Sequence, residues 1–500
     1  MTSTPASLGR SSGAPIPLIA FACLAALAGI AIAMDSSFKL VQFGVTIVLG
    51  GAWTLWATIR WRLTAYFLFF MLPFAILPGL AFGAQGWPTL LKDVLFILPL
   101  YAGAFIAYWR SPRLLSLPPP VLKLLTTLVV LVLLQTLVAT VNAGFLVALV
   151  GLKVWLWYVP LILLPRLIFR QPEHVLRWLR LIVLLAIIPS VLGIIEAYFI
   201  YSGRSDVVYS LYGPLASSVT QEFAQLGLSE DLIIRRIPST FTFVAQYYIY
   251  LITMFPLAVA AFFGARELRW RFLLGLAVIV IAAAGITSGA RGFLAWLPVQ
   301  VLLLIVLGNR LRWWLLFFAM IGLAGLAIVA GGVLGSASKG IYGLVGDYLG
   351  FVFLDQWTAA VRAGGVFGAG VGTATNAARY VLGDSPSGAP SLEVWYAKAV
   401  YEIGVPGIVV ILLLWAVLLY ELWVARRRTL DPPLQSLSGG IVVAFVTSIA
   451  NLYKGTYIDL DPLNVYFWFL IGLGLALPSI GGRLMQHKPQ RIRNSAQMRH

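Results

Sequence analysis

Arg291 is the residue whose type and setting most directly suggest anion binding. It stands in the segment ITSGARGFLAW, between two apolar stretches, with Gly289 and Gly292 close on either side. Glycines let a ligand approach the backbone closely, and a guanidinium can bind a phosphate through two parallel hydrogen bonds. An isolated arginine at the end of an apolar helix can instead serve only as an anchor at the membrane surface. We favour binding of a phosphate or diphosphate.

Glu393 is the candidate general base. It lies in the segment SLEVWYAKAVYEIGVPG, which opens an apolar stretch. A carboxylate at the mouth of a cavity can accept a proton from an attacking hydroxyl. The alternative is that the helix dipole alone favours a carboxylate in the first turn. In the same segment Lys398 stands four residues before Glu402, a spacing that would allow the two side chains to pair on one helix face.

Three further arginines are candidate anion contacts or surface anchors. Arg235 and Arg236 are adjacent in the segment DLIIRRIPSTFTF, and the alternative to anion binding there is anchoring at the membrane surface. Arg362 ends a mostly apolar segment that begins at Tyr342, which predicts a helix on the membrane surface. Asp355 and Arg362, seven residues apart, would share the polar face of that helix.

The composition defines the class of protein. Hydrophobic residues make up 60% of the chain and charged residues 11%, and the mean hydropathy is +0.92. These values predict an all-α polytopic membrane protein, since a soluble domain would expose too much apolar surface. The formal net charge of +17 comes from short basic clusters between apolar stretches. Such clusters indicate contacts with membrane lipid and no nucleic-acid partner.

About fourteen transmembrane helices are predicted, each near the twenty residues that a bilayer core requires. The predicted spans are approximately 16–34, 40–59, 63–82, 93–109, 121–141, 152–168, 175–199, 247–264, 272–289, 293–308, 313–334, 394–424, 438–456 and 463–480. Every second connecting loop is basic, which places both termini in the cytoplasm.

The connecting segments divide the chain into three parts. Residues 1–334 hold spans 1–11 with a long outside loop near 202–246, and residues 335–393 form a large periplasmic loop between spans 11 and 12. Residues 394–500 hold spans 12–14 and a basic cytoplasmic tail. The stretch GVFGAGVGTATN in the large loop does not fit a dinucleotide motif. We interpret it as a flexible or closely packed wall of a cavity.

Four short motifs carry a resemblance to a known family. They are the S-G-A-R-G turn, R-x-P-S-T-F, the G-x-G-x-G stretch and E-x-G-x-P-G before an apolar span. Together they resemble the O-antigen ligase and polymerase family over roughly residues 90–425. The resemblance implies a multi-pass glycosyltransferase of the bacterial inner membrane. Such an enzyme transfers a glycan from a polyprenyl diphosphate donor to an acceptor hydroxyl, with no nucleotide sugar, metal or other cofactor.

The resemblance also implies roles on the donor side. Arg291 resembles the diphosphate-binding arginine of the family, with help from either Arg236 or Lys153. A second loop arginine of the family has no counterpart ahead of the loop tryptophan, and either Arg362 or Arg379 could replace it.

On the acceptor side our hypothesis is that Glu393 activates the acceptor hydroxyl as a base, with inversion at the anomeric carbon. Many members of the family have a histidine in this region, whereas the three histidines of this chain fall in predicted cytoplasmic segments. Either Glu393 replaces that histidine or another group does. Trp395 and Tyr396 are expected to stack on sugar rings, and Lys398 is a further substrate-binding candidate.

These departures favour a polymerase of exopolysaccharide or O-antigen repeat units over a ligase. A ligase that transfers the glycan to a lipid or other acceptor is the first alternative. A lipid-linked glycan flippase or transporter is the second, and a non-catalytic scaffold is the third. Other polysaccharide assembly proteins are expected partners.

Overall fold

A computed structural model of the protein describes residues 39–74, 91–109, 117–211, 225–227, 233–308, 355–375 and 392–497. These residues are almost entirely helical. The exception is a two-stranded antiparallel hairpin, β1 (Gln225–Gly227) and β2 (Ile233–Arg235), in the register Gln225 opposite Arg235. Helices predominate because a backbone in lipid must satisfy its hydrogen bonds within its own segment.

The α-helices are numbered along the described part of the chain. They are α1 (Lys39–Ile59), α2 (Trp61–Met71), α3 (Leu98–Trp109), α4 (Pro119–Ala143), α5 (Phe145–Leu156), α6 (Leu164–Ile168), α7 (Pro172–Leu185), α8 (Ile187–Tyr201), α9 (Ser205–Leu211), α10 (Val244–Gly264), α11 (Leu268–Thr287), α12 (Arg291–Leu307), α13 (Gln356–Gly364), α14 (Trp395–Arg428), α15 (Pro432–Asn451) and α16 (Leu463–Gln497). Tighter or looser turns extend some of them. Leu72–Phe74 and Val159–Leu163 are 3₁₀, and Asp93–Ile97 is a π-helical turn.

Eight helices within the described residues are long and apolar enough to cross a membrane. They are Pro119–Ala143, Phe145–Ile168, Pro172–Tyr201, Val244–Gly264, Leu268–Thr287, Trp395–Arg428, Pro432–Asn451 and Leu463–Gly481. Each coincides with a predicted span, so the prediction of a multi-pass helical membrane protein is confirmed. The predicted spans near residues 40–59, 63–82, 93–109 and 293–308 fall on shorter apolar helices. The predicted spans 16–34 and 313–334 lie outside the described residues.

The helices differ in how deeply they are buried. In the most apolar part of Leu463–Gly481, 89% of the residues are buried, against 22% in Pro119–Ala143. The buried helices α10, α15 and α16 therefore form the centre of the bundle. Helix α4 lies at its edge and exposes side chains such as Leu137 and Val141. In a membrane protein these exposed apolar side chains are suited to contact lipid.

Helix α14 is broken at Gly404, whose φ of 73° and ψ of 179° lie outside the helical region. Trp395 and Trp415 stand 20 residues apart in the sequence, which is about 30 Å in a straight helix. Their ring centroids are only 6.4 Å apart, so the chain turns sharply at Gly404. The residues from Val405 to Arg428 suffice alone to cross a hydrocarbon core of about 30 Å. The predicted span 394–424 thus consists of a short helical segment before Gly404 and a second segment after it that is long enough to span the membrane.

The predicted surface helix is present at its C-terminal end as α13, in which Gln356 and Ala360 are buried. Asp355 and Arg362 are both exposed, as a shared polar face requires. The earlier part of that predicted helix lies outside the described residues.

Candidate functional site

Charged side chains from three distant segments form ion pairs at one end of the bundle. Asp93 receives Lys92 and Lys153, each with its ammonium 2.8 Å from a carboxylate oxygen. Lys92 also lies 3.1 Å from Asp461, and the Tyr158 hydroxyl donates to Asp93 at 3.0 Å. Burial disfavours the charged form of Lys92, but Asp461 and Asp93 outweigh it and raise its pKa. These ion pairs tie the three segments together.

A second ion pair joins Lys398 of α14 to Asp459. The Lys398 ammonium lies 2.5 Å from one carboxylate oxygen, and the Trp395 indole N–H donates to the other oxygen at 3.1 Å. Lys398 is 1% exposed, and its ammonium also lies 5.9 Å from the centroid of the Trp155 ring. Lys398 therefore pairs with Asp459, and not with Glu402, which the four-residue spacing also allowed.

Glu402 is instead the anchor of the glycine-rich stretch. Its two carboxylate oxygens accept hydrogen bonds from the Trp155 indole N–H at 2.6 Å and the Ala374 backbone N–H at 3.0 Å. The Gly370 N–H donates to the Glu402 carbonyl at 3.1 Å. A Cβ on Gly370 would lie 2.5 Å from the Ala139 backbone nitrogen, so the stretch packs too closely for a larger residue. Of the two predicted possibilities, flexible or closely packed, the structure shows close packing. That the stretch forms the wall of a cavity stays a prediction.

Residues 452–462 connect α15 to α16, and we call them the 452–462 loop. This loop takes part in both groups of ion pairs, the one around Asp93 and the one at Lys398. Its Leu452 carbonyl accepts a hydrogen bond from the Trp395 N–H at 3.1 Å. Its two aspartates, Asp459 and Asp461, complete the ion pairs with Lys398 and Lys92. This loop was not predicted from the sequence as part of the site. The signal was the pair of aspartates in YIDLDP, between the last two apolar stretches.

Arg291 is the first residue of α12, and its side chain lies outside the described part of the structure. The turn before it is formed by Gly289, with a φ of 71°. The Ile237 N–H donates to the Ser288 carbonyl at 3.1 Å. Arg236, which is partly buried, therefore stands next to a residue bonded to this turn. We call residues 288–292 the arginine turn.

The arginine turn also contacts the 452–462 loop. The Lys454 ammonium is 2.7 Å from the position that a Cβ would take on Gly292. The loop therefore lies against the arginine turn through Lys454, and against the start of α14 through Leu452.

Glu393 is exposed and lies two residues before Trp395, the first residue of α14, so it is outside the first helical turn. Its backbone N–H donates to the Gln356 side-chain oxygen at 3.0 Å, which holds it against α13. The next residue but one, Trp395, is bonded to Leu452. The arginine turn and Glu393 thus flank the same loop, while Arg362 stands exposed on the neighbouring α13.

Trp395 and Tyr396 are buried. The Tyr396 hydroxyl donates to the Ile449 carbonyl at 2.8 Å, and its ring centroid is 4.6 Å from that of Tyr453. The Trp395 ring packs against Trp155 at 5.4 Å. Both rings face protein, and their stacking on sugars stays a prediction.

Four of the predicted site residues differ in where their segments lie. Arg236, Arg291 and Glu393 lie in segments bonded to the arginine turn or the 452–462 loop, whereas Lys153 pairs with Asp93. Among the described residues no group of three or more His, Cys, Asp or Glu side chains is arranged to hold a metal ion. Fold and site define a multi-pass helical membrane protein with a charged cluster at one end. The sequence matches no family model and no curated protein.

Proposed function

We propose that this chain is a polymerase-type glycosyltransferase of the bacterial inner membrane. It joins oligosaccharide repeat units linked to polyprenyl diphosphate, in exopolysaccharide or O-antigen synthesis. The observation that carries the proposal is that the arginine turn and the Glu393 segment flank one loop at one end of the bundle. The positive-inside pattern assigns the same end to the periplasm, in a topology of fourteen spans with both termini in the cytoplasm.

The donor diphosphate binds at the arginine turn. Arg291 at the start of α12 holds one phosphate through two hydrogen bonds, and the polyprenyl tail stays in the outer leaflet of the membrane. Arg236 assists, because its segment is bonded to the turn through Ile237. Lys153 contributes less, since its charge is already balanced by Asp93.

The transfer is a displacement at the anomeric carbon of the donor sugar. The acceptor hydroxyl oxygen forms a bond to that carbon while the bond to the diphosphate oxygen breaks, so the configuration inverts. The hydroxyl proton passes to the Glu393 carboxylate, and polyprenyl diphosphate leaves with the electron pair of the broken bond. No nucleotide sugar is needed, because the diphosphate of the lipid donor is already the leaving group.

The test uses purified protein in lipid vesicles with a polyprenyl diphosphate-linked repeat unit, chelator and no nucleotide. Chain length and released polyprenyl diphosphate are both measured. We expect a ladder of products with equal release of lipid, and we expect Arg291→Ala to abolish both. Intact donor in the presence of folded protein would contradict a polymerase.

A ligase would use the same donor site with a different acceptor. Adding a lipid acceptor to the same vesicles distinguishes the two reactions. Transfer of one glycan to that lipid, with no ladder in its absence, would identify a ligase.

One observation favours a flippase as the second candidate. Transport sites are often built from discontinuous helices with ionisable groups, and α14 is broken at Gly404 beside the buried Lys398 and Glu402. A flippase would move the intact donor across the vesicle membrane without releasing polyprenyl diphosphate. Accessibility of the donor glycan to a membrane-impermeant lectin measures that movement.

A further inference from the structure

Lys454 brings a third basic residue to the arginine turn. It belongs to the 452–462 loop and is partly buried. Its ammonium lies 2.7 Å from the position of a Cβ on Gly292, the residue that follows Arg291. No sequence motif points to it, because it lies more than 160 residues beyond the arginine turn.

A chain of contacts fixes the position of this ammonium. It lies 4.9 Å from the centroid of the Tyr248 ring, within the range of a cation–π interaction. The Tyr248 hydroxyl donates to the Asn451 side-chain oxygen at 2.5 Å. The Asn451 amide in turn donates to the Thr447 carbonyl at 2.7 Å. Lys454 is therefore oriented by the buried end of α15 and not only by its own flexible stem.

Three basic residues, Arg236, Arg291 and Lys454, belong to the turn or to segments that contact it. One acid, Glu196, accepts a hydrogen bond from the nearby Ser239 N–H at 3.0 Å. The Arg236 segment is bonded to the turn through Ile237 and Ser288, while Lys454 reaches it from the other end of the sequence. Both aspartates of the 452–462 loop form their ion pairs with lysines elsewhere in the structure, Lys398 and Lys92.

A diphosphate linked at both ends carries two negative charges on two phosphorus atoms, whereas a monophosphate linked at both ends carries one. One guanidinium matches one phosphate, so a second fixed cation is needed for the second phosphate. We infer that Lys454 binds the second phosphate of a lipid diphosphate beside Arg291, and so makes the site selective for lipid diphosphates over lipid monophosphates. This inference rests on the proposed function and adds to it a specificity-determining residue.

The experiment measures equilibrium binding to full-length protein in lipid nanodiscs. The probes are polyprenyl diphosphate, polyprenyl monophosphate and inorganic pyrophosphate, and the variants are Lys454→Met and Lys454→Arg. Lys123→Met is the matched control, because Lys123 is an exposed lysine at the start of α4. We expect Lys454→Met to weaken diphosphate binding about 10- to 100-fold, with little change for the monophosphate. Lys454→Arg should retain most of the selectivity.

Gly292→Ala provides a second test that keeps the lysine. The added methyl group would lie too close to both the Tyr248 hydroxyl and the Lys454 ammonium that rests on the Tyr248 ring, and would displace the two together. We therefore expect the same selective loss of diphosphate binding. Thermal unfolding identifies any variant that does not fold. The variants that do fold then decide whether Lys454 is responsible for the selectivity. Equal weakening for both lipids, or no weakening, would overturn the inference. Weakened pyrophosphate binding shows that the phosphates are recognised, and unchanged pyrophosphate binding with weakened lipid binding would assign Lys454 to the lipid and overturn it.

Binding does not require glycan transfer, so the two proposals can fail separately. Selective diphosphate binding that depends on Lys454, with no polymer formed, would contradict the polymerase function but support the role of Lys454. Polymer synthesis by Lys454→Met with an unchanged KM for the donor would contradict the role of Lys454 but support the polymerase function.

Discussion

The charged end of the bundle contains two regions that differ in whether their charged side chains are buried in ion pairs or exposed. In the first, Lys398 and Asp459 are ion-paired, with side chains that are 2% and 16% exposed. In the second, Glu393 and Arg362 are exposed, and within the described residues neither forms an ion pair. A buried charge needs a fixed partner, whereas a charge that meets a substrate has to stay accessible. The paired region therefore holds segments together, and the exposed region is suited to chemistry.

The largest effect is expected where an exposed charge performs the chemistry. Glu393→Gln removes the base but keeps the shape of the side chain, so the rate of polymer formation should fall by about two to four orders of magnitude. The thermal unfolding midpoint should not change, since the Glu393 contact in the structure uses its backbone N–H. Rate and unfolding are measured on the same preparation.

Glu173→Gln is the control for this variant. Glu173 is also an exposed glutamate near the start of a helix, α7. It should leave the rate unchanged. Polymer yield that Glu393→Gln does not alter would remove Glu393 from the mechanism.

The next effect is expected in the paired region, on stability. Lys398→Met leaves Asp459 largely buried without its partner, which should lower the free energy of unfolding by about 3–5 kcal/mol. Chemical denaturation in detergent measures the loss, and Lys123→Met again serves as the control. A double variant, Lys398→Met with Asp459→Leu, should recover part of the loss because no unpaired charge remains. An unchanged unfolding free energy for the single variant would show that the pair is not structural.

A smaller effect on stability is expected at the glycine-rich stretch. Two alanine variants there separate the cost of a steric clash from the cost of a positive φ. Gly370→Ala places a methyl group against the Ala139 backbone at a φ of 106°, and should cost about 1–3 kcal/mol. Gly365→Ala is the matched control, because its φ is 66° but nothing lies within 4 Å of the added Cβ. The difference between the two unfolding free energies measures the packing against α4. Equal losses would mean that the stretch is not tightly packed there.

The smallest effect is expected for Arg362→Ala. The side chain is exposed on α13, so it should change the KM for the donor by only a few fold, and less at high salt. The thermal unfolding midpoint should stay the same. A loss of activity comparable to that of Glu393→Gln would place Arg362 at the diphosphate and not at the rim of the site.

Part of the candidate site could be predicted because single residues reveal it. Arg291 and Glu393 stand out as charges between apolar stretches, where an ionisable residue is costly unless it has a role. Lys454 gave no such signal, and the two aspartates of YIDLDP gave a weak one, since a short charged loop between two spans is usual. Their importance depends on which distant segment packs against the loop.

The sequence by itself determined that this is a multi-pass helical membrane protein and where its long helices run. The bilayer imposes that outcome, because an apolar segment in lipid has to satisfy its backbone as a helix of a set length. The tertiary structure alone decided that α14 turns at Gly404 and that Lys398 pairs with Asp459 instead of Glu402. It also decided that the 452–462 loop joins the arginine turn to the start of α14. Such contacts depend on how helices pack, and no local pattern of residues specifies which distant partner a buried charge will meet.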